Sequence, residues 1–296
     1  MGRTAKCTLT SAGTATPTAW RLRLHAVGAH AAGVSLLGEI VREIEYYNKA
    51  KSYLLSFDQV TEEMLEDHIN EWKSRKPETI KDLFTAFLVH AQNRQGMPNS
   101  IGNIQNLSKL LFGFDHIKVA KAYGDWAALF DAIKSSSYQP PGRMVKDNNK
   151  SHWVIYCKAI ISIAHFLSAY KNMDEFRQFV GGFLTNEQSK LALPLLLSEE
   201  IFGFGFALAC DFLKENVSPE FIKPDTHIND IAQGLGITKS SRNYQIFKDV
   251  EAYCARINIT PYAVDKIFWL VGSGNFYLSG VKVNSSKHEF ISSIKG

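Results

Sequence analysis

No acidic residue occurs before Glu39 in this 296-residue chain, and cysteine, with four residues, is scarce throughout. Cys7, Cys157, Cys210 and Cys254 lie far apart, so no zinc-ligand spacing exists. Three of them fall inside apolar helical patterns and read as small buried hydrophobes in a reducing compartment. No apolar run reaches the ~18 residues that a membrane span needs: the most apolar stretch, Trp153 to Phe166, is interrupted by Lys158 and His165. No membrane role is expected. Alternating strand patterns are missing too, since Val281-Lys282-Val283 is too short to count. Gly272-Ser273-Gly274 lacks the strand and the downstream glycine of a phosphate loop, which disfavours a nucleotide-binding enzyme.

The basic excess is equally thin. Of 33 Lys and Arg residues, Arg3, Lys6, Arg21 and Arg23 lie in the acid-free leader, and setting them aside leaves 29 basic against 29 acidic residues. A phosphate-binding surface must therefore come from how charge is distributed. A hydrophobic content of 45% is enough for a substantial core in one large domain or two small ones.

Residues 1–33 show no sustained period. They read either as a targeting presequence or as a disordered tail or mis-assigned start, with the folded domain covering 34–296. The second reading is favoured because no amphipathic arginine-rich helix is evident. An intracellular setting, cytoplasm or nucleoid, is expected, with organellar targeting the lesser option.

From Leu36 the chain turns helical in period. Leu37, Ile40, Ile44 and Tyr47 form one stripe. Thr61 caps a helix with Glu62 and Glu63 in its first turn. Ile80, Leu83, Phe84, Phe87, Leu88 and Ala91 form a second stripe, and Ile101, Ile104, Leu107 and Leu111 extend the helical theme. Asp125 caps a helix carrying Trp126, Leu129 and Phe130. Residues 135–151 read as a loop and a junction between lobes; Arg143, Lys146 and Lys150 there meet phosphate or, more commonly, only solvent. Trp153 to Tyr170 is apolar on nearly every side and belongs at the centre. Thr260-Pro261 opens a late helix in the favoured order, and a mixed polar tail ends the chain.

The most informative stretch is Ile201-Phe202-Gly203-Phe204-Gly205, an apolar helix after it, and then Lys223-Pro224-Asp225-Thr226-His227-Ile228. Gly203 and Gly205 allow positive φ or close approach of a ligand to the backbone. Pro224 keeps Lys223 out of a helix, so the next helix opens at Asp225.

This arrangement resembles the signature of the helix-hairpin-helix DNA glycosylase superfamily, HhH-GPD, over roughly Ile80 to Tyr277. In that superfamily a Leu-Pro-Gly-Val-Gly-type hairpin leads into a helix, and a Val-Asp-Thr-His-Val-like turn comes after it. The resemblance implies an all-α fold of two helical lobes with a helix-hairpin-helix motif and a cleft between them. The family's catalytic aspartate falls on Asp225. Its strand-cutting members carry a lysine two residues after the second glycine. That position here is Ala207, eighteen residues before Asp225, so hydrolysis by water without lyase chemistry is implied; Lys190, Lys214 and Lys223 remain outside candidates for an amine nucleophile. The hairpin's proline is replaced by Phe202. Gly203, Phe204 and Gly205 would grip a DNA phosphate through backbone N–H groups at a helix start. Gln92, at a Ser-x-Gln-like helix end, would enter the space left by an extruded base, or is a solvated helix end. The implied partner is double-stranded DNA, bound by a monomer. A monovalent cation at the hairpin is implied at most. No metal ligands are expected, and the absence of cysteine after Cys254 excludes the iron–sulfur cluster of some members.

Two other readings stay open. Asp225 is also an ordinary N-cap, and a non-catalytic DNA-binding protein or a helical protein-interaction scaffold would use the same helices. His227 reads as turn support. Trp153, Tyr156, Phe206 and Trp269 are each expected in the core.

Overall fold

The computed structural model describes residues 43–94 and 96–295. The expected leader and the Leu37 and Ile40 positions lie outside them. The described residues form fourteen α-helices, two short 3₁₀ turns and one two-stranded ribbon, so the all-α expectation holds. After helix 43–55 (α1) come α2 (Glu62–Asn70), α3 (Ile80–Gln92), α4 (Met97–Ile101), α5 (His116–Ala122), α6 (Trp126–Ser135) and α7 (His152–Leu167). The second half comprises α8 (Met173–Phe183), α9 (Glu187–Glu200), α10 (Phe206–Asn216), α11 (Thr226–Gly234), α12 (Asn243–Ile257), α13 (Pro261–Ser273) and α14 (Lys287–Lys295).

Caps set many of these boundaries. Thr61, Asp125 and Thr260 accept backbone N–H groups at the starts of α2, α6 and α13, as their spacing predicts. Thr79 and Asp82 form a reciprocal capping box on α3, a feature worth about 1 kcal/mol.

Two helices act as hubs. α7, with ten buried side chains, packs against α3, α4, α5, α6 and α9. α13, also with ten, packs against α2, α11, α12 and α14. α10 bridges them: it touches α3 and α9 on one side and α12 on the other. Its Phe212 stacks on Phe87 of α3 with ring centroids 3.6 Å apart, locking the bridge to the first group.

Two expectations change. The Ile101–Leu111 stripe is not one helix, because Gly102 turns left-handed at φ +76° and a Cβ there would meet Pro141 Cγ at 2.9 Å. The loop 136–151 is what crowds it: Tyr138 Oη donates to Ile101 O at 2.7 Å and Gly142 N donates to Ser100 O at 2.9 Å. The C-terminal tail is likewise folded. Strand β1 (Asn275–Phe276) pairs antiparallel with β2 (Val281–Lys282), and Phe290 of α14 is buried against Tyr53 of α1.

Candidate functional site

The link between α9 and α10 is held against α7. Ile201 is buried, and Phe202 N donates to Ser162 Oγ of α7 at 2.9 Å. Gly203 adopts φ +75°, which glycine takes cheaply, and a Cβ there would lie 3.1 Å from Ile155 Cγ2. Gly205 differs: it caps α10 with an extended backbone at φ −68°, open to any residue, and faces free space. The expected freedom is therefore needed at Gly203 alone.

Phe204 is a correction. Its ring is 1% exposed, lies 5.8 Å from Phe87 and 6.2 Å from Phe212, and its N–H is donated to Ile201 O. It therefore offers a ligand neither its ring nor its N–H. Phe202, which carries the exposed ring of this turn, stands where contact with a partner is available. Gln92 is also tied inward, with its Nε2 donating to Gly102 O at 2.7 Å. The amide expected to enter a duplex thus braces the end of α4.

Asp225 does cap α11. Its Oδ1 accepts from His227 N at 2.9 Å and Ile228 N at 3.1 Å, while Oδ2 has no hydrogen-bond partner among the described residues. The side chain is half-buried. The turn it begins leans on α13, where the His227 ring meets Trp269 edge-on at 6.4 Å. This approach depends on Gly272, since a Cβ there would sit 2.3 Å from His227 Nδ1.

Beside that turn, α3, α10 and α13 enclose a cavity of about 250 Å³, lined by Asn93, Asp211, Lys214, Lys223, Asp265 and Trp269 among others. Its walls are an ionic lattice. Lys214 Nζ lies 2.6 Å from Asp265, 3.1 Å from Glu215 and 3.6 Å from Asp211. Lys223 Nζ reaches Asp211 at 3.1 Å, and Lys223 N donates to Asp265 Oδ2 at 2.8 Å. Lys266 Nζ reaches Glu215 at 2.9 Å and Glu71 at 3.1 Å, and donates to Tyr277 Oη at 2.7 Å. Arg75 pairs with Glu71 on the rim. Glu71, Asp211, Glu215 and Asp265 thus face Arg75, Lys214, Lys223 and Lys266, and formal charge balances.

Protonation is set by the lattice. Burial works hardest against the Lys214 charge, but Asp265, Glu215 and Asp211 together outweigh it and hold the ammonium well above its ordinary range. On Asp211 burial is again the largest single influence. Lys223, Lys214 and His90 overcome it and keep that carboxyl low. Asp265 is raised, first by burial and also by the charge of Asp225, with Lys214 acting in the opposite sense. Asp225 is therefore an electrostatic neighbour of the cavity although it does not line it.

Of the expected aromatic core residues, Trp153 and Tyr156 are fully buried, and Phe206 packs half-buried on Tyr244 and Phe247. Trp269 departs from expectation and lines the cavity. The lattice itself was missed by sequence reasoning. Its trace was nevertheless present: Asp211, Lys214 and Glu215 at i, i+3 and i+4 in an apolar helix, and Asp265-Lys266 inside Pro261–Val271. No group of side chains with metal-ligand geometry occurs among the described residues, and none of their helices is long and apolar enough to cross a membrane. No family model matches the chain, and neither a curated protein nor a solved structure does.

Proposed function

We propose that this chain is a DNA glycosylase that flips a damaged, mismatched or modified base out of a duplex and hydrolyses its N-glycosidic bond. The observation that carries the reading is the charge-balanced cavity beside the Asp225 turn, one helix away from a glycine turn clamped to α7. At about 250 Å³ it falls below the roughly 300 Å³ where drug-sized pockets begin. One polar, planar group such as a nucleobase suits it. The α7 and α13 helix groups serve as the two lobes, and the turn 201–205 serves as the helix-hairpin-helix element.

In this reading the flipped base enters between α3, α10 and α13, at an unstacking cost of a few kcal/mol. The lattice supplies both donors and acceptors to its edge. As the bond lengthens, positive charge grows on the sugar, as in other glycoside cleavages. Asp225, with its free Oδ2, stabilises that charge and orients the attacking water. No amine competes with water: position 207 is alanine, and Lys214 is held as an ammonium by three carboxylates, which removes the lone pair a Schiff base needs. Lys223 is paired to Asp211, and Lys190 is paired to Glu251 at 2.7 Å.

The capping bonds of Asp225 favour a second reading, a DNA-binding protein without excision. A panel of duplexes carrying uracil, oxidised or alkylated bases separates the two. Base release by the wild type, slowed about a hundredfold or more in Asp225→Asn, supports the glycosylase. Tight binding with no release on any duplex supports the second reading.

A further inference from the structure

A second, larger cavity of about 420 Å³ opens at the α3 terminus, with Arg94, Lys150, His152, Phe202 and Gly203 on its walls. No carboxylate lines it. Arg94 and Lys150 are exposed and form no salt bridge among the described residues, in contrast to the ionic cavity, where each cation has an acid within 4 Å. The Phe202 ring, 45% exposed, has Lys158 Nζ 5.0 Å from its centroid, and the same ammonium lies 5.0 Å from the Trp126 ring. His152 is oriented by Ser100, with Oγ and Nδ1 2.7 Å apart.

The two cavities are one residue apart. Asn93 lines the ionic cavity and donates to Asp211 Oδ2 at 3.3 Å, while Arg94 lines the basic one. Asn93 and Arg94 are consecutive in the chain, so the two linings adjoin at the end of α3. One cavity offers balanced charge and an aromatic wall, which suits a base. The other offers unpaired cations beside an exposed ring, which suits the sugar–phosphate backbone.

We infer that the basic cavity binds backbone phosphate of the same DNA strand whose base occupies the ionic cavity, with Arg94 and Lys150 as the phosphate contacts and Phe202 packing on the adjoining nucleotide. This rests on the glycosylase reading for the identity of the ligand. It makes Phe202, at the position of the family's hairpin proline, a strand-contacting residue particular to this chain.

The test is binding of the full chain to a lesion duplex, measured by fluorescence anisotropy across a range of salt concentrations. Each phosphate contact contributes about 0.9 to the slope of log affinity against log salt. Arg94→Ala/Lys150→Ala is expected to flatten the slope by roughly 1.5–2 and weaken binding about tenfold or more at physiological salt, on lesion and undamaged duplex alike. Phe202→Ala is expected to weaken binding by several-fold with the slope unchanged. A double variant that melts like the wild type and keeps its salt slope overturns the inference. So does loss, in the double variant, of inorganic-phosphate binding that the wild type shows, without any change in duplex slope, which makes the cavity a free-anion site. Base release is scored separately. Release by the wild type with an unchanged variant slope sinks this inference alone, and a flattened slope with no release sinks excision alone.

Discussion

Lys214 and Asp265 join α10 to α13 through a 2.6 Å contact in which neither side chain is more than 5% exposed. The pair ties the bridging helix α10 to the α13 hub, so the charges that shape the cavity also hold its walls together. Removing one partner of such a pair leaves the other desolvated and uncompensated, at a cost of about 3–5 kcal/mol. Lys214→Met is therefore expected to lower the urea midpoint by that equivalent. A variant as stable as the wild type would show that the lattice is dispensable.

The same lattice sets the acid limb of stability. Burial pushes the Glu215 carboxyl up, but Lys214 and Lys266 overcome it and hold the group at about 2, and Asp211 is held low as well. A carboxyl depressed in the folded state contributes stability above its unfolded pKa, near 4.5 for Glu, and loses it as pH falls toward the folded value. Stability should thus drop between about pH 4.5 and 2. Chemical denaturation at stepped pH should find this acid slope smaller in Lys214→Met.

Glu251 works in the opposite sense. Burial pushes its carboxyl from 4.5 up to about 7, against the pull of Lys190. Between those values the folded protein keeps a proton that the unfolded chain has released, so stability falls as pH rises through the window. Glu251→Gln should flatten that fall and be the more stable form at pH 8, by up to about 3 kcal/mol before the lost Lys190 pairing is subtracted. Urea midpoints at pH 5 and pH 8 that move in parallel for both proteins would refute the assignment.

Gly272 admits His227, and a methyl group there would occupy the imidazole's position. Gly272→Ala is expected to cost about 1–3 kcal/mol, the usual range for overpacking, and to displace the turn that carries Asp225. The double variant Gly272→Ala/His227→Ala should recover most of the loss, because it removes the opposing ring. Thermal melts of the three proteins measure this, and failure of the double variant to recover would place the strain elsewhere.

Asp225 caps α11, and under the proposed glycosylase function its charge has a second, separable duty. Asparagine and serine cap helices about as well as aspartate, so Asp225→Asn and Asp225→Ser should melt within about 0.5 kcal/mol of the parent. Neither keeps the negative charge. If the chain is the proposed glycosylase, single-turnover base release falls about a hundredfold or more in both, and unchanged release would remove the carboxylate from the proposed chemistry.

Much of the scaffold was legible in the chain because it rests on local rules. The stripe from Ile80 to Ala91 and the apolar run after Trp153 are periodicities, and Thr61, Asp125, Asp225 and Thr260 are caps that act within four residues. Where a distant segment intervenes, the reading breaks. Gly102 ends α4 at φ +76°, short of what the Ile101–Leu111 spacing extended, and Pro141 leaves no room there for a Cβ; Val283 donates back to Gly274 to fold a tail that looked merely polar.

The candidate site divides along the same line. The sequence by itself determined that a glycine turn, a helix and a capping aspartate succeed one another, since each is a property of neighbouring residues. Only the tertiary structure decided that Phe204 turns inward while Phe202 faces out, that Trp269 lines a cavity, and that Glu71, Asp211, Glu215 and Asp265 meet four cations there. These outcomes depend on where α3, α10 and α13 pack. Glu71 lies 195 residues from Lys266, and nothing in either residue's local sequence records such a meeting.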